Sequence, residues 1–441
     1  MSVHAPGTRW YNAVWRWHFY AGLFCLPFIL WLSITGTIYL WKPQIEAAIE
    51  AKYDDLNTGA SRASPGAIVA TVLAARPGAR FDRYELPTDP HRAVRVLATA
   101  DGVQSRFYVD PYRDRLMGAV VEKQRLMPWI SRAHGTLLGG NPGSWLVEIA
   151  ACWAITMLLT GLYLWWPRGN RGLAGVIYPR LRQGRRLFWR DTHAVAGLWV
   201  SVAAIFLIAT GLPWANAWGG YLAAVRSATG TSDGPADWPT GAVRSDAHAE
   251  HRMTAAAGPG DWTAARGAAL DRVVARAATL ALVGPVMIAA PKAMTDGWAV
   301  AAESANRPLR TKLTIDGDSG AILTRRDFAQ RQWIDRAVGY GVAIHEGAFF
   351  GLANQIAGTV VTALLVTLSV SGAVMWWRRR RRGTLGAPIP LSRPRYGIAL
   401  VVAIGALGFA MPLFGATLLL VLVVERGTRG TWLARPLGLM R

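Results

Sequence analysis

Four histidines stand at repeated distances from hydroxyl–glycine pairs in this sequence. His18 precedes Thr35-Gly36 by 17 residues, and His193 precedes Thr210-Gly211 by the same 17. His134 precedes Thr160-Gly161 by 26 residues, as His345 precedes Ser371-Gly372 by 26. Neutral imidazole is the commonest protein ligand for metals and binds haem iron axially. One histidine at the edge of an apolar run reads as an interfacial side chain bonded to head groups or backbone. Four at matched spacing, in a chain with 8 histidines, read as ligands, because an ionisable group at membrane depth needs a partner. Gly22 and Gly197 lie four residues after His18 and His193, on the same helix face. Lacking a Cβ, they admit a flat macrocycle or serve helix packing alone. Arg16, Arg132 and Arg190 lie two or three residues before a histidine. Their guanidiniums suit haem propionates and equally suit the positive excess of one membrane face. His248 and His251 read as a solvated surface pair, and His4 and His91 have no matched partner.

The histidines need helices to hold them. Of 441 residues 52% are hydrophobic and only 17% charged, with 21 Trp and a mean hydropathy of +0.21, a membrane composition. The net charge of +21 does not point to nucleic acid, since the arginines crowd short segments between apolar runs, as a membrane surface requires. Runs at 19–41, 144–166, 194–214 and 352–377 have spanning length. The first has a basic start but no small-residue cleavage site, so it reads as an uncleaved anchor. Segment 167–192 holds seven arginines against the single acid Asp191, and 378–395 holds arginines without an acid. Both belong on the cytoplasmic side with the N-terminus, leaving 42–143 and 215–351 outside. A fifth run, 396–424, is broken by Pro412. A single span there would put Arg426, Arg429, Arg435 and Arg441 outside, against the rule, and two full spans do not fit; a kinked or re-entrant helix remains open. Cys25 and Cys152 read as small hydrophobes inside apolar runs.

The matched spacings make the two halves parallel repeats about a pseudo-twofold along the membrane normal. Each half begins inside, crosses, forms an external module and returns. The first module, 42–127, reads as a helix at 64–80 and alternating strands at 81–86, 93–98 and 106–109; the second, 215–334, as a loop at 228–261, a helix at 262–280 and strands at 298–302 and 312–315. The divisions are then 1–41, 42–127, 128–166, 167–192, 193–214, 215–334, 335–377, 378–395 and 396–441. The fold class is an α-helical integral membrane protein: a four-helix core from two parallel two-helix repeats, a C-terminal hydrophobic helix and two small periplasmic α+β modules. Equal depths pair His18 with His193 near the inner face and His134 with His345 near the outer face. Tyr84, Tyr108 and Tyr112 are candidate external contacts, with strand-face packing the favoured role.

At these residues the chain resembles the PepSY-associated transmembrane family of iron-regulated membrane proteins. The features that carry it are Trp17-His18-Phe19-Tyr20-Ala21-Gly22-Leu23, Thr35-Gly36, His134, and Thr160-Gly161-Leu162-Tyr163-Leu164-Trp165-Trp166. The second half adds Asp191-Thr192-His193 through Gly197-Leu198-Trp199, and His345 through Gly372 and Trp376-Trp377. The resemblance covers about residues 10–380. Asp316-Gly317-Asp318-Ser319-Gly320 fits the PepSY strand-turn-strand pattern, whereas Asp110-Pro111-Tyr112-Arg113-Asp114 has Asp114 where glycine is usual. The resemblance implies a reductase of the bacterial inner membrane with two b-type haems on His18, His193, His134 and His345, delivering electrons to a periplasmic ferric siderophore. No dinucleotide fingerprint is present, so electrons come from a separate donor, quinol or a cytoplasmic reductase. Two other classes compete. One is a non-catalytic membrane module that binds a peptidase or envelope partner. The other is a permease, which the continuous, polar-poor spans disfavour.

Overall fold

The computed structural model describes residues 6–59, 61–167, 172–231, 262–291, 297–389, 391 and 397–428. His4, His248 and His251 lie outside them. Helix α1 (Pro6–Leu40) leads into α2 (Lys42–Glu50), then α3 (Pro65–Ala75), β1 (Arg80–Glu85), β2 (Val94–Ala100), β3 (Val103–Asp110), β4 (Arg115–Val121), α4 (Leu126–Thr136) and α5 (Gly140–Trp165). The second half runs α6 (Arg185–Gly211), α7 (Asn216–Ala228), α8 (Ala264–Ala278), β5 (Val286–Ala289), β6 (Trp298–Ala302), β7 (Thr311–Ile315), β8 (Ile322–Asp327), α9 (Trp333–His345) and α10 (Leu352–Arg379). Last come α11 (Ile398–Ala410) and α12 (Pro412–Thr428).

Four helices, Arg9–Leu40, Gly140–Trp165, Arg185–Trp214 and Leu352–Arg379, are long and apolar enough to cross a membrane. The chain is a multi-pass helical membrane protein. Helices α1, α5, α6 and α10 close a ring, each touching the next and α10 returning to α1. One end of the ring carries the strands and the other the arginine-rich connections. Thr37 of α1 donates to Thr362 of α10 (2.7 Å), and Gln44 of α2 to Gln355 of α10 (2.8 Å). Such pairs satisfy polar groups where water is absent. Cys25 and Cys152 are buried free thiols.

The two expected α+β modules are not two separate sheets. All eight strands join in one antiparallel sheet of order β4-β3-β2-β1-β5-β6-β7-β8, with β1 and β5 meeting at its centre through Tyr84–Ile288 and Glu85–Met287. Helices α3 and α8 cover one face over a shared core that includes Ile68, Val72, Val96, Leu270, Ile288 and Ile315. Their starts match: Ser64 accepts from the Ala67 N–H and Thr263 from the Arg266 N–H, the capping bond that hydroxyl residues favour. A Cβ added to Gly66 would lie 2.7 Å from the Gly267 backbone. Gly66→Val forces these helices apart and is expected to cost about 1–3 kcal/mol, read as a lowered melting temperature.

The first turn keeps the geometry of the second without its glycine. Asp114 has φ +43° and Gly320 φ +70°. Asp110 accepts from the Tyr112 and Arg113 N–H groups as Asp316 does from Asp318 and Ser319. Aspartate is among the few residues that tolerate this left-handed region. Of the three tyrosines, Tyr84 is buried, Tyr108 is buried with its hydroxyl on Glu50 (2.9 Å), and Tyr112 donates to the Pro90 carbonyl.

Two further elements go beyond the sequence reading. Residues 216–228, between the third apolar run and the expected loop, form α7, whose first turn is capped by a side chain of α5. Glu148 accepts from the Ala217 N–H (2.8 Å) and the Trp218 N–H (2.9 Å). The fifth apolar run breaks at Met411 into α11 and α12, neither of them 18 residues long. Gly408 and Gly415 touch at the turn, and Met411 and Phe414 bury against Cys152 and Leu212. Trp218 donates to the Ala410 carbonyl and Trp153 to Thr417. At the other end of α12, Glu425 lies within electrostatic range of Tyr20, near the arginine-rich end of α1. The run is a helical hairpin that returns Arg426 to the arginine-rich end.

Beneath the sheet, buried carboxylates and guanidiniums join strands to helices. Arg106 bonds Glu122 (3.0 Å) and Glu85 (3.2 Å), and Arg95 bonds Glu50 (2.7 Å). Burial opposes ionisation of Glu122, but Arg106 and Arg125 prevail and hold its carboxyl down at about 2, against an ordinary 4.5. A depressed folded pKa gives stability that is present above the unfolded value and lost as pH falls toward the folded one. The melting temperature is therefore expected to hold from pH 7 to about 5 and to drop from pH 4.5 toward 2. A Glu122→Gln variant should lack much of that drop.

Candidate functional site

All four histidines use the same local construction. His18, on α1, meets the hydroxyl–glycine pair of α5, with Nδ1 3.0 Å from the Met157 carbonyl and 3.2 Å from Thr160 Oγ1. His193, on α6, meets α10 likewise, 3.0 Å from the Leu368 carbonyl and 3.2 Å from Ser371 Oγ. At the sheet end, His134 Nδ1 lies 3.0 Å from Thr35 Oγ1 and His345 Nδ1 2.9 Å from Thr210 Oγ1. The hydroxyl–glycine pairs thus hold the imidazoles.

The hydrogen-bond pattern fixes the tautomer. Each hydroxyl donates its own proton four residues back, Thr160 to Thr156 (2.8 Å), Ser371 to Thr367 (2.6 Å), Thr35 to Trp31 (2.8 Å) and Thr210 to Phe206 (2.8 Å). The hydroxyl oxygen and the carbonyl therefore accept from Nδ1–H, which leaves the lone pair on Nε2. A metal-ligating imidazole is oriented the same way, with its second nitrogen donating to the protein. The glycines supply the space. A Cβ at Gly161 would lie 3.0 Å from His18 Cε1, at Gly36 3.2 Å from His134, at Gly372 3.3 Å from His193, and at Gly211 3.6 Å from His345.

The four rings form two facing pairs, as equal depth predicts. The His18 and His193 centroids are 6.2 Å apart with planes at 83°. Those of His134 and His345 are 6.5 Å apart at 84°. An imidazole nitrogen bonds a metal at roughly 2 Å. Adding a ring radius of about 1 Å on each side puts two imidazoles on one ion roughly 6 Å apart, the spacing of both pairs. Among the described residues no group of three or more His, Cys, Asp and Glu is arranged to hold a bare metal ion.

Around the first pair lies a cavity of about 1800 Å³, bounded by all four ring helices and lined by His18, His193, Gly22, Gly197, Trp165 and Trp376. It exceeds the usual size of a small-molecule pocket and has room for a flat macrocycle between the histidines. Trp165 donates to the Val176 carbonyl and Trp376 to the Leu385 carbonyl, so matched indoles hold the loops at its mouth.

The three arginines singled out by sequence position part company. Arg190 lines this cavity and is held by Asp191 (2.8 Å). Arg16 donates to the Pro388 carbonyl and stacks over Tyr20. Arg132, at the sheet end, donates to the Lys123 carbonyl. Arg185, Arg186, Arg378 and Arg379 line the cavity beside Arg190, and sequence position did not mark them because whole arginine runs surround them. At the sheet end Lys42 lies 5.6 Å from the Tyr39 ring. Tyr39, then Glu46 and Glu346, hold its ammonium pKa above the ordinary value despite burial. His91 serves structure alone among the described contacts, bonding the Leu56 carbonyl.

No curated protein matches the sequence. A family profile described as the PepSY-associated TM region matches residues 15–379, which span both histidine pairs, the sheet and all four long helices. The chain belongs to the PepSY-associated transmembrane family.

Proposed function

We propose that this protein is a di-haem oxidoreductase of the bacterial cytoplasmic membrane, carrying electrons outward to reduce a ferric siderophore and release Fe(II). In this reading the two halves are parallel repeats, the N-terminus and arginine-rich loops are cytoplasmic, and the sheet is periplasmic. The observation that carries it is the pair of facing imidazoles at each end of the ring, each with its Nε2 lone pair set by a bond at Nδ1. His18 with His193 and His134 with His345 would hold one b-type haem each. Bound there, haem supplies a one-electron Fe(III)/Fe(II) couple.

The chain's own residues do the rest. The Nδ1–H bonds hold each ring's orientation and raise its basicity. The apolar ring keeps water from the axis, and Arg185, Arg186, Arg378 and Arg379 offer charge to propionates at one face. On α1, the 17 residues from His18 to Thr35 amount to about 25 Å, so the two sites lie at opposite membrane faces. One electron delivered to a ferric complex converts Fe(III) to Fe(II), which hard oxygen ligands hold less strongly.

Purified protein, reduced anaerobically with dithionite and freed of excess reductant, is expected to reoxidise when a ferric hydroxamate or catecholate complex is added. A ferrous chelator should trap Fe(II) in step. Reduced protein that stays reduced with every ferric complex tried would leave the non-catalytic module, binding a peptidase or envelope partner, as the better reading.

A further inference from the structure

The ion network beneath the sheet has a use that neither histidine pair accounts for. Arg125 immediately precedes α4, the helix that ends beyond His134. Its guanidinium reaches Glu122 (2.7 Å), Glu50 (2.8 Å) and Glu46 (3.0 Å). Glu46 and Glu50 belong to α2, the continuation of α1, and α1 carries the Thr35 that bonds His134. One guanidinium thus joins both elements whose separation sets the His134–Thr35 bond. In the second half the corresponding elements are α7, following Thr210 on α6, and α9, carrying His345. They are joined by Arg226 and Asp335 at 2.6 Å, with side chains 4% and 11% exposed. The charges are inverted: the carboxylates sit on α2 and the guanidinium before α4, while the guanidinium sits on α7 and the carboxylate on α9.

We infer that Arg125 and the Arg226–Asp335 pair are positioning residues for the sheet-end histidines, fixing the helix that bears each imidazole to the helix that bears its hydroxyl partner. The inference rests on the reading of His134 and His345 as axial ligands. The two ties differ in reach. Glu122 continues to Arg106 on β3, and Arg106 to Glu85 on the central strand β1; Glu50 continues to Arg95 on β2 and Tyr108 on β3. A load on the sheet is therefore felt at His134 through buried charge pairs, which are costly to break singly. This makes Arg125 the coupling point between an external ligand and the sheet-end site.

The test compares Arg125→Met, Arg125→Lys and Asp335→Asn in the full chain in lipid nanodiscs, by hydrogen exchange and by the low-spin haem spectrum. Arg125→Met is expected to speed exchange over 126–136 at least tenfold and to shift or bleach one of two haem signals, leaving the other in place. Arg125→Lys, which keeps the charge and part of the hydrogen bonding, should recover most of both. Asp335→Asn should speed exchange over 333–345 and disturb the same haem signal. Unchanged exchange over 126–136 in Arg125→Met, or faster exchange with both haem signals untouched, overturns the inference. Haem-free wild-type protein would sink the proposed function separately; the exchange arm would then still decide whether Arg125 ties α4 to α2.

Discussion

On the proposed di-haem function, replacing any one of the four paired histidines by alanine is expected to halve the haem content, and the half that is lost depends on the pair. His18→Ala and His193→Ala should each remove the centre at the arginine-rich end and leave the other spectrum intact. His134→Ala and His345→Ala should do the reverse. The pairing follows from the ring contacts, 6.2 Å between His18 and His193 and 6.5 Å between His134 and His345. A b-type haem is held by its axial bonds and its pocket, without covalent attachment, so loss of one axial ligand leaves a five-coordinate, weakly bound group. The readouts are haem per polypeptide and the optical spectrum. Complementary losses support the depth pairing; loss of both centres, or of neither, from a single substitution contradicts it.

The second large effect needs no change to a ligand. A Cβ at Gly161 would stand 3.0 Å from His18 Cε1, inside ordinary van der Waals contact, so Gly161→Val must push the imidazole off its site or separate α1 from α5. Its haem loss should approach that of His18→Ala. The other glycines rank by the space beside them: Gly36 at 3.2 Å and Gly372 at 3.3 Å follow closely, while Gly211 at 3.6 Å should accept alanine. If Gly161→Ala and Gly211→Ala bind haem equally well, the imidazoles are not held as described. The hydroxyls give a milder companion series. Thr35→Val removes the 3.0 Å acceptor of His134, and Thr160→Val removes the 3.2 Å acceptor of His18 while leaving the Met157 carbonyl; each should weaken its own centre less than loss of the histidine does.

These contacts explain which parts of the molecule the sequence discloses. The histidine pairs are legible because each imidazole and the hydroxyl–glycine pair that receives it keep the same sequence offsets in both halves. What that pair does is not legible, since Thr160 serves a histidine on another helix 142 residues away. The joined sheet is hidden for a different reason. Its central β1–β5 contact links strands two hundred residues apart, and the three strands missed lack a clean alternation. β5 is buried on all four residues, and β8 is exposed over most of its length because it is an edge. The ion network is likewise invisible, because Glu46, Glu50, Glu85, Arg95, Arg106, Glu122 and Arg125 look like ordinary surface charge until the strands stack them. Pro412 does mark the break in the last apolar run, but only the packing of Met411 and Phe414 shows that the chain turns back.

The central claim is that the two facing histidine pairs each hold one haem between two imidazoles. Haem per polypeptide, measured with the optical spectrum on protein purified from haem-replete cells, tests it most directly. Two haems per chain are expected, both low-spin and six-coordinate in the oxidised and reduced forms. A folded, colourless protein, or one whose haem is high-spin and bound at a single site, would contradict it.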